Sequence, residues 1–256
     1  MSSRGPMTIA VLIKQVSDMN AIRIDRGSGR IVPSAQQVMS SYDAYAVEAA
    51  LRLKERFGGD VIVVSAGPAS VKDVLTRALA MGADRAIHVQ VADLGSIDTL
   101  TLARALCEPI AALGCDVILA GQASDDVETG QVGAQVAALL DLPVVSNVVS
   151  FEIEDQMLRV VRDMEDGFQT VGVALPAMLL SSTGLDEPRL PSLKGIMAAK
   201  KKPTDVLDGT LDGEKRLTWG EPYVPEKPML GTIVQDVPAR DAAKQFVAWL
   251  KEQKFI

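Results

Sequence analysis

The residues of this chain whose types and spacing suit chemistry gather between Asp116 and Leu140, in DVILAGQASDDVETGQVGAQVAALL. A short apolar run, Val117 to Ala120, reaches Gly121; a polar turn follows, and apolar periodicity resumes at Val132, Val136, Leu139 and Leu140. That pattern reads strand, loop, helix. In an open parallel sheet such a loop lies at the carboxyl end of its strand, where ligands bind. A helix starting at Thr129 or Gly130 then aims unpaired backbone N–H groups at an anion, so the stretch is a candidate phosphate site. A plain surface turn capped by Thr129 accounts for the same residues. The neighbouring acids Asp125, Asp126 and Glu128 repel a phosphate unless they face sugar, base or solvent, which counts against a highly charged ligand.

Other chemistry is thinly provided for. His88 is the only histidine and lies in a predicted strand without a visible nucleophile or acid partner, so its expected role is packing or surface. Cys107 and Cys115 lack metal-ligand spacing and read as small apolar residues, which argues against a zinc site. No Walker-type loop occurs, since the lysines of GIMAAKKK do not have its spacing. A stand-alone ATP-pyrophosphatase or nucleotidyl transferase needs a glycine- and serine-rich loop after the first strand, where this chain has Lys14-Gln15-Val16-Ser17. A net charge of −7 argues against non-specific nucleic-acid binding by the surface as a whole. No apolar run reaches membrane length or a signal-peptide core, so a reducing, cytoplasmic setting without membrane insertion is expected.

The elements that must position the loop follow from the apolar pattern. At 256 residues the chain can bury a large α/β core; with 48% apolar but only 4% aromatic residues, that core is built of Val, Ala, Leu, Ile and Met. Met7 to Ile13, Asp60 to Ala66 and Arg85 to Gln90 read as strands. A long connection from Gln15 to Ser41 contains a small hairpin turning at Gly27 to Gly29. Helices are expected from about Tyr42 to Arg56 with Ser40-Ser41 as cap, after Ser70 and Asp73 in capping-box-like spacing, and after Asp98 across Pro109. Beyond Pro143 the pattern changes to consecutive antiparallel strands, then Ala177 to Ser182. The expected fold is α/β: an open, mainly parallel sheet with helices on both faces, extended by antiparallel strands and a C-terminal wrapping arm. Residues 1–199 read as one α/β domain with the candidate phosphate site, and 200–256 as an extended arm and a terminal helix that needs docking, in cis or on another chain. Pro188, Pro191 and Gly195 interrupt regular structure in 183–199, yet Leu190, Leu193, Ile196 and Met197 there want a partner surface. Lys200, Lys201 and Lys202 read as a solvated run or as a steering patch. The terminal helix, Ala239 to Lys254, carries Phe246, Trp249 and Leu250 along one face.

These residues also carry a resemblance. IAVLIKQVSD, YAVEAALRLKE, VVSAGPAS with TRALAMGADRAIHV, and above all VVRDMEDGFQTVGVALPAMLLSSTGLDEPRLPSLKGIMAAKKK are similar to the beta (small) subunit of electron transfer flavoproteins. The match runs from Met7 to Lys202. It implies a heterodimer with an alpha subunit, carrying electrons from acyl-CoA-type dehydrogenases to a downstream quinone oxidoreductase or other acceptor. A shared FAD would sit mostly in the alpha subunit, and this chain would have no catalytic turnover alone.

By the same resemblance an AMP is bound at Leu12, at Ser40, Ser41, Tyr42 and Asp43, and at Ala66. The loop would add Gly121, Gln122, Asp126, Val127, Glu128 and Thr129, then Gly130, Gln131 and Val132 at the helix start. Asp163 matches an acidic residue that holds the partner's mobile flavin domain. Leu193 matches the leucine that inserts into the dehydrogenase, with Glu187, Pro188, Arg189, Ile196 and Met197 around it. The chain departs from the family where it has Ser40-Ser41 for Asn-Pro, Val127 for glycine and Gln122-Ala123 for Arg-Gln, and it lacks an aromatic near Met19. Electron-bifurcating members carry a second FAD in place of AMP; the loop acids and the missing glycine favour AMP. A redox-inactive adenine-nucleotide-binding protein is a further alternative, against which the long arm after Ser182 argues.

Overall fold

The computed structural model describes residues 5–25, 27–211, 215–220, 222–224 and 231–256; the stretches of the expected arm at 212–214, 221 and 225–230 lie outside the described residues. The apolar run of β1 (Met7–Leu12) is buried because both faces of its sheet are covered, Ile9 and Val11 on one side and Ala10 and Leu12 on the other, with a strand on either side of it. The long link that follows holds β2 (Gln15–Ser17), β3 (Arg23–Ile24), β4 (Ile31–Val32) and β5 (Gln37–Met39). In it β3 and β4 form the expected hairpin, and β2 pairs with β5. Strand and helix then alternate: α1 (Ser41–Phe57), β6 (Gly59–Gly67), α2 (Lys72–Met81), β7 (Arg85–Gln90), α3 (Thr99–Ala111), β8 (Val117–Gly121) and α4 (Val132–Leu139). The strands β9 (Val144–Glu154), β10 (Met157–Met164), β11 (Gly167–Ala174) and β12 (Ala177–Ser181) come next. After them stand α5 (Leu193–Ala199), β13 (Thr204–Asp208) and α6 (Ala239–Glu252).

One nine-stranded sheet runs β11-β10-β9-β12-β8-β1-β6-β7-β13. Only the pairings of β10 are antiparallel; the others are parallel. The expected α/β fold is therefore the observed one. Apolar residues of α1 and α2 close a core on one face, and those of α3 and α4 close a second core on the other. From β1 the chain winds outward through β6 and β7, then returns to lay β8 on the opposite side of β1. That reversal opens a crevice beyond the carboxyl ends of β1 and β8, and it is what positions the site.

Several local expectations change. The helix after the loop starts at Val132, not at Thr129 or Gly130, because Gly130 adopts a left-handed φ of 61° that a helix cannot include. Ser70 caps nothing: a 3₁₀ turn over Ala69–Val71 precedes α2, and the Ser70 hydroxyl donates to Gln15 Oε1 at 2.7 Å. The segment 183–199 is not wholly irregular, since Ser192 accepts from Gly195 N at 3.0 Å and starts α5 after Pro191. Residues Thr204–Asp208, expected in the arm, pair with β7 as an edge strand tied by Arg85 to Asp205 at 2.5 Å. The first compact unit accordingly extends to Pro222, and Tyr223–Ile256 is the second. Lys202 is not merely solvated: its ammonium donates to the carbonyls of Leu79 (2.9 Å), in the last turn of α2, and of Ala83 (2.5 Å), just beyond that helix. His88 is buried, with Nε2 2.8 Å from the Gly67 carbonyl, a packing role. Asp98 caps α3 as expected, accepting from Thr101 N at 2.8 Å.

In the second unit, α6 places Phe246 and Trp249 one turn apart, their rings stacked with centroids 6.1 Å apart, and Phe255 lies 5.8 Å from Trp249. Both helix aromatics keep about half their surface exposed. Among the described residues no helix is long and apolar enough to cross a membrane, and no cluster of His, Cys, Asp or Glu is arranged to hold a metal.

Candidate functional site

The crevice holds a cavity of about 460 Å³, within the usual range for small-molecule sites. Its floor is the ends of three strands: Leu12 of β1 with Lys14 just beyond it, Val64 and Ala66 from β6, Ala120 and Gly121 from β8. Leu102 and Leu106 of α3 add to the apolar side. The loop after β8 supplies Gln122, Asp126, Val127, Thr129, Gly130, Gln131 and Val132. Most of the residues expected at a nucleotide are thereby brought to one place.

Asp43 binds the floor together from below. Its buried carboxylate accepts from Lys14 N at 2.7 Å and from Gly121 N at 3.0 Å, joining the ends of β1 and β8. Gly121 is required by this contact, for a Cβ there would lie 2.5 Å from Asp43 Oδ1. Burial pushes the Asp43 carboxyl up to about 7, against the pull of those two N–H donors. Ser40, Ser41 and Tyr42 are not among the lining residues; they fasten the loop and floor from behind. Ser41 donates to Asp125 through its N–H (2.7 Å) and hydroxyl (2.6 Å), Ser40 Oγ accepts from Asp125 N at 3.4 Å, and the Tyr42 carbonyl accepts from Ser181 Oγ at 3.2 Å. Gln122 Oε1 accepts from Asn147 N at 2.7 Å.

The expected repulsion from the loop acids is largely removed by these contacts. Asp125 is held by Ser41, and Asp126 pairs with the Lys14 ammonium at 2.7 Å, which also donates to Ser124 Oγ at 3.2 Å. Glu128, at a left-handed φ of 47°, is exposed and does not line the cavity. At the helix start Gln131 provides no side-chain cap, so the first N–H groups of α4 remain for an anion. Thr99 donates to Gln131 Oε1 at 2.8 Å and accepts from Gln135 Nε2 at 3.2 Å, tying the starts of α3 and α4 to each other.

A second group of residues stands apart from the cavity. Leu190 and Leu193 are 83% and 76% exposed, and Ile196 and Met197 are exposed beside them. Their support is rigid. Arg189 reaches Glu48 of α1 through Nε and a second guanidinium nitrogen, both at 2.8 Å, and through its backbone N–H at 3.1 Å. It also reaches Glu55 at 2.5 Å, while Arg52 bonds Glu48 and Asp186. Burial raises the Glu48 carboxyl, but the hydrogen bonds from Arg189 and Arg52 outweigh it and hold the group below its ordinary value. Gly195 lets α5 seat on α2, since a Cβ would lie 2.3 Å from the Ala80 carbonyl oxygen. Glu187 is exposed and Pro188 half-buried on the loop before it. Asp163 is exposed on β10, opposite Phe168 of β11.

A nucleotide-sized crevice at the reversal of a parallel sheet is common to many folds, so the comparison with known proteins decides the lineage. Residues 29–211 match the family model of the electron transfer flavoprotein domain. The chain belongs to the electron transfer flavoprotein family. It is 33% identical over 255 residues to the electron transfer flavoprotein subunit beta of Bacillus subtilis, covering 96% of this chain and 98% of that one. It is 35% identical over 208 residues to the human subunit beta, covering 78% and 81%. To subunit CarD of the caffeyl-CoA reductase-Etf complex of Acetobacterium woodii it is 38% identical over 203 residues, covering 78% of each. Beta subunits of this flavoprotein family work with an alpha subunit in electron transport.

Within the electron transfer flavoprotein chain, three contributions to the cavity are not apparent from sequence, one of them the stretch Leu94 to Thr99 that leads into α3. Lys14 reads only as the end of a strand, although a cation directly beyond a buried parallel strand is a usable signal. The described residues after 214 offer none, although Trp219, Gly220 and Pro222 line the cavity, because the apolar residues there have no period.

Proposed function

We propose that the cavity binds AMP and that the chain, with its alpha subunit, walls a shared FAD in a carrier for acyl-CoA-type dehydrogenases. The observation that carries the AMP reading is the convergence on one cavity of the uncapped start of α4, the Lys14 ammonium and the apolar ends of β1, β6 and β8. A single phosphate suits one ammonium and one helix start, and the apolar side suits a base. With Asp126 paired to Lys14 the local charge stays modest, which matches a monophosphate better than a longer chain of phosphates. The flavin, when bound, supplies the one- and two-electron chemistry.

This chain's part is positioning. Leu193, Ile196 and Met197 form the aliphatic anchor for the dehydrogenase, ringed by Glu187, Pro188 and the Arg189 network. Asp163 holds the flavin-bearing domain of the partner subunit. The aromatic face of α6, in the second unit, packs on the alpha subunit, and a quinone oxidoreductase or similar acceptor takes the electrons onward, in the cytoplasm. The test is to co-express the chain with its alpha subunit and determine the nucleotides released per heterodimer by chromatography and absorbance. One FAD and one AMP are expected. Two FAD without AMP would make the pair a bifurcating type, and the absence of flavin from every complex would overturn the carrier reading.

A further inference from the structure

The nucleotide cavity has a wall that the sheet does not provide. Residues 215–220 are moored to the start of α3 by three hydrogen bonds: Arg216 N and Leu217 N donate to Asp98 Oδ2 at 2.6 and 3.2 Å, and Trp219 Nε1 donates to the Ile97 carbonyl at 2.9 Å. Asp98 Oδ1 meanwhile caps α3 at Thr101 N, so one buried carboxylate starts the helix and moors the strap. The N–H donors of Thr101, Arg216 and Leu217 hold the Asp98 carboxyl well below the usual carboxylate range, so it remains an acceptor at any working pH. Trp219 is the one aromatic side chain among the described residues that line the cavity, and it is 43% exposed there although its N–H is already bonded. Its ring orientation is thus fixed while its surface remains free, an arrangement suited to stacking on a planar base.

We infer that Trp219 is the base-contacting wall of this cavity and that Asp98 is the positioning residue that holds it in place. The inference rests on the nucleotide reading proposed above and adds to it where the base lies and what orders the strap. Because the base and the mooring both act on the same short segment, nucleotide binding and ordering of residues 215–220 favour each other reciprocally.

The experiment uses the heterodimer freed of its nucleotide and titrated calorimetrically with AMP and, separately, with ribose 5-phosphate, which lacks the base. Trp219→Ala is expected to weaken AMP by about tenfold or more, the usual effect of removing a base-stacking ring. Ribose 5-phosphate should be unaffected, and Trp219→Phe should keep AMP affinity within a few-fold. Asp98→Asn is expected to weaken AMP several-fold with flavin content unchanged. Should Trp219→Ala not fold, Trp219→Leu carries the same test at similar bulk. Equal losses for AMP and ribose 5-phosphate would mark Trp219 as structural and overturn the inference. Unchanged AMP affinity would overturn it while leaving the nucleotide reading intact. A wild-type heterodimer that takes up no AMP at all would overturn that reading, and this inference with it.

Discussion

Asp43 shows how far a single residue's identity underdetermines its work. Resemblance to the family leads one to expect it at a nucleotide, but its two oxygens serve Lys14 N and Gly121 N, residues far apart in sequence, and no local pattern announces that strut. Its electrostatics are testable. A carboxyl raised from 3.8 to about 7 in the folded chain favours folding most below pH 3.8, and that contribution is lost as pH rises through about 7. The loss amounts to about 4 kcal/mol at its limit. The facing charges are Lys14 and Asp125; the ammonium moderates the shift and the carboxylate adds to it. In urea denaturation the midpoint of wild type relative to Asp43→Asn should fall between pH 4 and 7, and parallel midpoints across that range would disprove the raised carboxyl. At the docking segment, Leu193→Ala is expected to slow electron delivery from the dehydrogenase, with affinity falling about thirtyfold if the leucine is a hot spot. Flavin content should not change; loss of FAD would show that the side chain is structural.

At the scale of elements, the strands and helices with strong periodicity are legible in the sequence, and the short ones are not. The runs of β1, β6 and β8 are continuous because both faces are buried, whereas β13 (TDVLD) has no such run, being an edge strand held by its backbone and by Arg85. The proline and glycine around α5 read as breakers, yet each has a place in it. Pro191 ends the loop before the Ser192 cap, and Gly195 permits the close approach to α2. Gly195→Ala should therefore push α5 off α2, costing roughly 1–3 kcal/mol as overpacking does. Melting temperature and dehydrogenase-dependent flavin reduction should fall in the same variant. Unchanged stability would mean that α2 gives way without cost. The start of α4 departs from its expected place for a related reason: the glycine that looks like a helix opening is left-handed and belongs to the loop.

On the scale of the whole molecule, one large and mainly parallel sheet is both expected and observed, and what the sequence withholds is that parts of the expected arm return to it. A segment poor in periodic apolar residues can still be moored by backbone N–H groups on a single carboxylate, as residues 216 and 217 are on Asp98. The exposed aromatics of α6 are expected to be buried by the alpha subunit. A Phe246→Ala, Trp249→Ala double variant should raise the heterodimer dissociation constant at least tenfold by analytical ultracentrifugation, in line with aromatic anchors elsewhere. An unchanged constant would separate α6 from that interface. Helix α1 has a consequence of another kind. Near its start Asp43 braces the cavity floor, and little more than one turn later Glu48 grips the loop before α5 through Arg189. Both stations are thus bolted to one beam with no hinge between them. The span from the cavity floor to Leu193 should therefore stay constant while electrons pass, and a change in it between redox states would show that α1 bends.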